Sequence, residues 1–418
     1  MDLIRGSITK QGKIFYGWVI VGAGCVIMAA AMGIVSNCNS LFIKPVSEDL
    51  GLSRQSVSMM LSLMSFGSMA ASFCAGKIFN ETNIVKVMKV SITVMCIAYF
   101  LNSTANNIYV LYATHLINGI TMCLVTTLPM TFLINNWFRD KVGYALGLAS
   151  MGSGFGGAIF NSLAGQLMTR LGWRGTYRVL FLFLAVTAVP CVFFLLKLKP
   201  EDMGLTPYTE NKETVTEVQG EVGGYSFAEV RRMPLFWIIC VMAVVIGTCM
   251  NGMYTSISPH LQDRGYSLAF SANFLSVCMF VMALCKILLG RIFDRAGVRL
   301  AFCWACLTLV FAMTGLLFCR VMPALLLVII GVGFGCVFGA VVFPLSIPLV
   351  FGKKDYRLIM GPLGALISLG GVVGPTLAGK VYDMTGTYQM FYLVSLFIMA
   401  AVVLIMFRIL PKKEDQFS

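Results

Sequence analysis

Residues 286–299 read KILLGRIFDRAGVR, the end of an apolar helix in which Gly290 and Gly297 stand seven positions apart. The spacing recurs at three further places: Gly165/Gly172, Gly379/Gly386 and, in a degenerate form, Gly76/Asn83. Neighbouring copies are 89 residues apart in each half of the chain, and the two halves are offset by 214 residues. Regular offsets of this kind indicate an internal repeat, here a unit used four times.

The composition places these repeats in a membrane. Of 418 residues, 58% are hydrophobic and 12% charged, whereas soluble domains carry about 25% charged residues. A spanning helix needs about 20 apolar residues. Charged residues bound eleven such stretches, and the one from Lys89 to Arg139 holds two helices. The sequence therefore predicts an all-α membrane protein with 12 transmembrane helices in two six-helix bundles, each with inverted three-helix repeats.

The only long hydrophilic stretch separates six spans from six. It predicts three regions: an N-terminal bundle (1–196), a cytoplasmic linker (197–232) and a C-terminal bundle (233–418). The four glycine pairs fall at the ends of spans two, five, eight and eleven, alternately on the two faces of the membrane. Inverted repeats produce that alternation, and folds built in this way bind solutes near the midplane between their halves.

The Lys and Arg residues are distributed unequally between the two sides of the membrane. With the N-terminus inside, 22 of the 31 Lys and Arg lie in inner segments and eight in outer ones. The positive-inside rule then predicts both termini in the cytoplasm, for a multi-pass protein of the cytoplasmic (inner) membrane. The net charge of +13 therefore gives no reason to expect nucleic acid as a partner. Membrane lipid is the expected surrounding.

Enzyme chemistry has no support in the sequence. The 14 cysteines lie mostly in apolar runs, where cysteine behaves as a small hydrophobe, and show no metal-ligand spacing. No Walker sequence and no Ser/His/Asp set stands in a soluble region. We expect no catalytic residue, no cofactor and no metal.

The stretch GRIFDRAGVR, Gly290 to Arg299, resembles the loop signature of the major facilitator superfamily. The resemblance implies that Gly290, Asp294, Arg295 and Arg299 form a latch between helices that opens during transport. In the first half the corresponding stretch has Asn80 in place of the acid, which predicts a weaker latch there.

Two further stretches, FYGWVIVGAG (15–24) and WFRDKVGYALGLASMGSGFGG (137–157), are similar to the monocarboxylate transporter and oxalate:formate antiporter group. In that group an Arg four residues before the loop glycine binds the substrate carboxylate. Lys286 holds this position here. A charge inside a membrane is costly and indicates function, although a lysine can also extend its ammonium to the interface.

Other features narrow the substrate. The matching part of span eleven, Gly361 to Gly371, lacks the second basic residue of oxalate:formate antiporters, so a monoanion, or a larger anion with polar groups, is favoured over oxalate. Proton-coupled carriers of the group have an acid at the position of Met282, and no acid of this chain lies in a membrane interior. We therefore expect a small organic anion, such as a monocarboxylate, moved by exchange or facilitated diffusion in a protein that acts as a monomer.

Polar side chains within the spans complete the predicted substrate site. Besides Lys286, it comprises His115, Asn37, Asn39, Asn118, Asn251 and Tyr254. Asn37 and Asn39 are two residues apart on a helix, so only one of them faces the cavity. His115 is either a proton or anion site or a packing histidine, whereas His260 is expected at the surface. Pro344 and Pro348 predict a break or kink in span ten.

Two other functions fit the same architecture. An exporter of neutral or cationic drug-like solutes would usually use a buried acid, which the sequence does not provide. A non-transporting solute sensor on this fold would bind its ligand without moving it.

Overall fold

The computed structural model describes residues 15–78, 83–139, 142–209, 224–352 and 354–411, and nearly all of them are helical. Six spans form the first half: Tyr16–Leu50, Arg54–Ile78, Ile84–Thr104, Ile108–Trp137 and two spans within a continuous stretch, Val142–Pro190, that is extended by Cys191–Leu195. We call the membrane side at which Tyr16 lies the termini side and the opposite side the far side.

Six spans also form the second half: Pro234–Asp263, two spans within Leu268–Leu317, an interrupted span made of Met322–Gly335, Phe338–Val342 and Phe343–Phe351, then Tyr356–Thr385 and Gln389–Ile409. Because twelve spans alternate in direction, Ile409 ends on the termini side. The described residues thus confirm the predicted all-α class with two six-helix bundles.

The glycine repeat marks the corners between spans. Gly172 (φ 67°), Gly297 (φ 77°) and Gly386 (φ 70°) all adopt a left-handed backbone, which L residues with a side chain avoid. The first two divide the long helices into spans five and six and spans eight and nine. Asn83, in the degenerate copy, has φ −112°. In the three complete pairs, the second glycine is therefore the residue that lets the chain turn.

Span four and span ten are both interrupted, at corresponding positions. Span four breaks at Thr126 (φ −98°, ψ −116°), and span ten changes to a wide π-type turn over Phe338–Val342 before Pro344 enters the next helical turn. Thr126 lies 214 residues before Ala340, which is the repeat offset. The prolines predict the break in span ten. In span four, Pro129 lies three residues after Thr126 and has no amide to donate to the carbonyl of Val125, which accounts for the break there.

The linker is attached at both ends. Tyr208 exchanges backbone hydrogen bonds with residues at the end of span four, 3.0 Å to the amide of Arg139 and 2.9 Å to the carbonyl of Trp137. At the other end, the amide of Tyr225 donates to Phe351 of span ten (3.0 Å). A short helix, Phe227–Val230, follows, capped by Ser226 and Glu229. The exact boundaries 1–196, 197–232 and 233–418 stay predictions.

The two halves meet mainly along spans two and eleven and along spans five and eight. Small residues allow both approaches. A Cβ on Gly379 would lie 2.7 Å from Cα of Gln55, and one on Gly154 would lie 2.7 Å from Cβ of Ala283. Without strong hydrophobic driving force between helices in lipid, such close packing holds spans together. These helix pairs therefore form the surfaces along which the halves contact each other.

Candidate functional site

Lys286 lies in span eight at the contact with span five. Its side chain is partly buried, and Nζ is 3.5 Å from the hydroxyl of Ser153 in the opposite half. Among the residues that the structure describes, no carboxylate lies within 4 Å of this ammonium. An ammonium without a counter-ion inside a membrane protein is unfavourable, and an anion beside Lys286 would lower that cost.

Ser153 connects Lys286 to two further predicted residues. Its carbonyl accepts a hydrogen bond from Nδ2 of Asn37 (3.1 Å), and the carbonyl of Asn37 accepts one from the hydroxyl of Tyr254 (3.4 Å). The four residues come from spans one, five, seven and eight, and so from both halves. The structure thus brings together Lys286, Asn37 and Tyr254. Ser153 is absent from the predicted site, although it stands in the glycine-rich stretch SMGSGFGG.

Asn39 points elsewhere. It is buried, and its Nδ2 donates to the carbonyl of Val35 (2.8 Å) and contacts Sδ of Met64 (3.4 Å) in span two. Both partners belong to the first half. Asn37 is therefore the asparagine of span one that lies at the contact between the halves: its backbone carbonyl accepts from Tyr254 of the second half, while its side chain donates to Ser153 of the first half.

Asn251 lies near the contact of span seven with spans two and eleven. Its Nδ2 donates to the carbonyl of Gly247 (2.8 Å). A Cβ built on Gly371 would lie 3.1 Å from Oγ of Ser65 and 3.7 Å from Nδ2 of Asn251. Asn251 and Ser65 thus face one glycine of span eleven, so this part of the interface is polar as well.

His115 and Asn118 lie inside the first bundle. Both are almost fully buried, and Nδ1 of His115 is 2.8 Å from the carbonyl of Leu111 one helical turn earlier. Nearby, Gly119 packs against the backbone of Met64 in span two. No described contact connects His115 to the second half, so its part in substrate binding stays a prediction.

The expected surface position of His260 is wrong. Only 1% of this residue is exposed, and Nε2 lies 3.0 Å from the carbonyl of Leu316. Its ring also packs edge-on against Tyr392, with 5.0 Å between centroids. Span seven extends beyond this position to Asp263, so the ring meets spans nine and twelve before the helix reaches the surface.

The predicted latch is only partly described. Gly290 is helical and a Cβ there would meet no atom within 4 Å. Nε of Arg299 donates to the carbonyl of Leu410 (2.6 Å), and its guanidinium lies 5.6 Å from the ring centroid of Phe407. The side chain of Asp294 lies outside the described residues, as do Asn80 and Glu81 in the first half. The ion pairs of Asp294 with Arg295 and Arg299 stay predictions.

On the far side, charged groups hold the halves together. Asp263 of span seven accepts from Nζ of Lys44 (2.9 Å) and from the guanidinium of Arg54 (3.4 Å). Asp383 of span eleven accepts from the backbone amides of Arg54 and Gln55, both at 2.9 Å. Span one continues as a helix past Lys44 to Leu50, and Lys44 has its acidic partner at this side of the membrane.

Hydrogen bonds between described residues that join the two halves all lie at the level of Lys286 or further toward the far side. Some glycines within the spans on the termini side also have space around them. A Cβ on Gly147, Gly361 or Gly364 would meet no atom within 4 Å. The structure is therefore closed on the far side and looser on the termini side, as one state of a protein that opens alternately would be.

A family model described as Major Facilitator Superfamily matches residues 25–350. The chain belongs to the major facilitator superfamily. Among relatives, monocarboxylate transporter 12-B of Danio rerio is 22% identical and covers 94% of this chain and 87% of its own length. Monocarboxylate transporter 10 of Homo sapiens is 24% identical and covers 90% of this chain and 75% of its own length. The uncharacterized MFS-type transporter YhjX of Escherichia coli (strain K12) is 24% identical over 65% of each chain.

Solved structures show the same fold. A bacterial homolog of the human lysosomal transporter Spinster aligns with a TM-score of 0.68 and 16% identity, over 97% of this chain and 100% of its own. The nucleoside transporter NupG aligns with a TM-score of 0.71 and 12% identity, over 94% of this chain and 100% of its own. At these identities the likeness concerns the fold alone. With the family match over residues 25–350, the chain is a multi-pass membrane transporter of this superfamily.

Proposed function

We propose that this protein transports a small organic anion, a monocarboxylate, by alternating access, with Lys286 as the carboxylate contact. The observation that carries the proposal is the ammonium of Lys286 between the two halves, 3.5 Å from Ser153 and without a described carboxylate partner. A solute carboxylate would supply the missing charge. Because the site includes groups from both halves, a bound anion connects the parts that move against each other.

The relatives support the substrate class. Several are named monocarboxylate transporters, and their alignments cover most of this chain. A single ammonium favours one carboxylate over two, since a dianion would leave a second negative charge without a partner. Asn37 and Tyr254 then lie beside the carboxylate contact, and Asn251 adds a polar group on span seven.

The transport mode that we propose is exchange or facilitated diffusion. Proton symport would need a titratable group in the transport path, and the acids that join the halves lie at the far side. His115 is the remaining candidate for a proton route. The distribution of basic residues supports an orientation with both termini in the cytoplasm, in the cytoplasmic membrane. We also propose that the monomer is the functional unit, since each monomer contains both halves of the site.

Exchange in proteoliposomes tests this function. Vesicles loaded with formate, lactate, pyruvate, oxalate or larger hydroxylated carboxylates are diluted into labelled solute, with and without a proton ionophore. We expect saturable, ionophore-insensitive exchange of one monocarboxylate and weak exchange of oxalate. If a cationic drug moves while every carboxylate fails, the substrate class is wrong. If ligand binds but nothing crosses, the protein is a sensor.

A further inference from the structure

A groove runs along the outside of the contact between spans two and eleven, in the far half of the membrane. Its volume is about 590 Å³. Its walls come from both halves: Met59 and Phe66 on span two, and Val373 and Leu377 on span eleven, each more than 40% exposed. In a membrane protein, an apolar surface of this kind faces lipid chains.

The floor of the groove offers no free polar group at its centre. Ser62 and Thr376, from opposite halves, share a hydrogen bond of 2.7 Å between their hydroxyls. Each hydroxyl therefore has its partner within the protein. Since an apolar groove with a satisfied floor gains little from binding water or a polar solute, a hydrocarbon chain fits it best.

The far-side end of the groove is polar and basic. Lys380 and Gln55 line it, and Lys380 is exposed. The acid closest to Lys380 in the sequence is Asp383. Both of its carboxylate oxygens accept hydrogen bonds from backbone amides, those of Arg54 and Gln55. Among the described residues, no carboxylate lies within 4 Å of Nζ of Lys380. The ammonium of Lys380 can therefore pair with a lipid phosphate at the surface of the far leaflet through a charge-assisted hydrogen bond.

We propose that this groove binds one acidic phospholipid, with an acyl chain between spans two and eleven and the phosphate at Lys380. The groove exists as described only while the two halves are closed on the far side, because both contribute its walls. A lipid that binds this state stabilises it over the open one. Acidic lipid should therefore favour the conformation that is closed on the far side.

Native mass spectrometry on the delipidated full-length protein tests the site. The probe is an equimolar mixture of phosphatidylglycerol and phosphatidylcholine with identical chains. We expect the wild type to retain phosphatidylglycerol at least fivefold over phosphatidylcholine, and Lys380→Gln to lose this preference. Lys89→Gln is the matched control, since Lys89 stands in span three, over the ring of Phe193, and it should leave the preference unchanged. Equal preference in wild type and Lys380→Gln would overturn the proposal.

Two further measurements locate the acyl chain. Leu377→Trp fills the groove and should lower retention of both lipids, provided that its elution on size exclusion matches the wild type. Phosphatidylglycerol with a photoreactive diazirine in the chain should label the unmodified wild type within residues 59–66 and 372–380. Adducts confined to other spans would contradict the proposal even if Leu377→Trp fails to fold.

Discussion

Asp383, in the second half of the protein, caps the helix that begins at Arg54 in the first half. Its two carboxylate oxygens accept hydrogen bonds from the backbone amides of Arg54 and Gln55, each at 2.9 Å. The first amides of a helix have no partner within it, and a capping carboxylate satisfies them. Here the cap comes from the opposite bundle. Opening of the far side must therefore uncap span two, which makes this contact part of the closed state.

Replacing Asp383 with Ala should shift the protein toward the state that is open on the far side. Loss of a helix cap costs about 1 kcal/mol, or about a fivefold change in the ratio of the two states. Electron paramagnetic resonance between spin labels at exposed Leu171 and Met384, with Cys74 replaced by Ser, should show a larger share of long distances.

Asn107→Ala is the matched control for this measurement. Asn107 caps span four through the amide of Val110 (3.1 Å), within a single half. Its loss should lower thermal stability and leave the distance distribution unchanged. A similar shift in both variants would mean that the Asp383 contact has no special role in closing the far side.

Asp263→Asn should have a larger effect than loss of the cap. It removes the partner of Lys44 and of Arg54, whose side chain is only 7% exposed and would lose its counter-ion. Losing these ion pairs should destabilise the closed state by about 1 to 2 kcal/mol, between the cost of losing an exposed pair and that of losing a fully buried one. The same spin labels should show this as a larger share of long distances. Glu48→Gln is the control, because it removes another acid near Lys44 (3.9 Å) from the same helix. It should leave the distance distribution unchanged.

Ser153→Ala tests how Lys286 is held. The hydroxyl at 3.5 Å from Nζ is lost, while the backbone carbonyl that accepts from Asn37 remains. A hydrogen bond to a charged group contributes about 1.5 to 3 kcal/mol, and this one is long at 3.5 Å, so the half-saturating anion concentration should rise about tenfold at unchanged maximal rate. A complete loss of transport in a folded variant would mean that Ser153 contacts the solute itself.

Gly119→Ala should destabilise the first bundle. A Cβ at this position would overlap the carbonyl of Met64 in span two, and backbone at a helix contact has little room to move. Overpacking costs about 1 to 3 kcal/mol, which we expect to appear as a drop of several degrees in the melting temperature in detergent. Gly147→Ala adds a methyl group where no atom lies within 4 Å and should melt like the wild type.

The arrangement of spans could be predicted because it depends on local sequence. Charged residues cannot lie in hydrocarbon without cost, so they mark the ends of spans. Repeated glycines allow the left-handed corners at Gly172, Gly297 and Gly386. Both features can be identified in the sequence without knowing which helices contact each other.

The partners of individual side chains could not be predicted in this way. Asp383 caps a helix 329 residues earlier in the chain, and His260 is buried by helices that follow it much later. Such features depend on how distant spans pack, which a single sequence does not specify.

The central claim is that Lys286 binds the carboxylate of the transported anion. The most direct test compares Lys286→Gln with Lys89→Gln, since each variant removes one ammonium from a spanning helix. In exchange assays with the monocarboxylate that the wild type prefers, Lys286→Gln should lose at least tenfold in exchange rate at subsaturating anion, whereas Lys89→Gln should match the wild type. Equal exchange in the two folded variants would contradict the account.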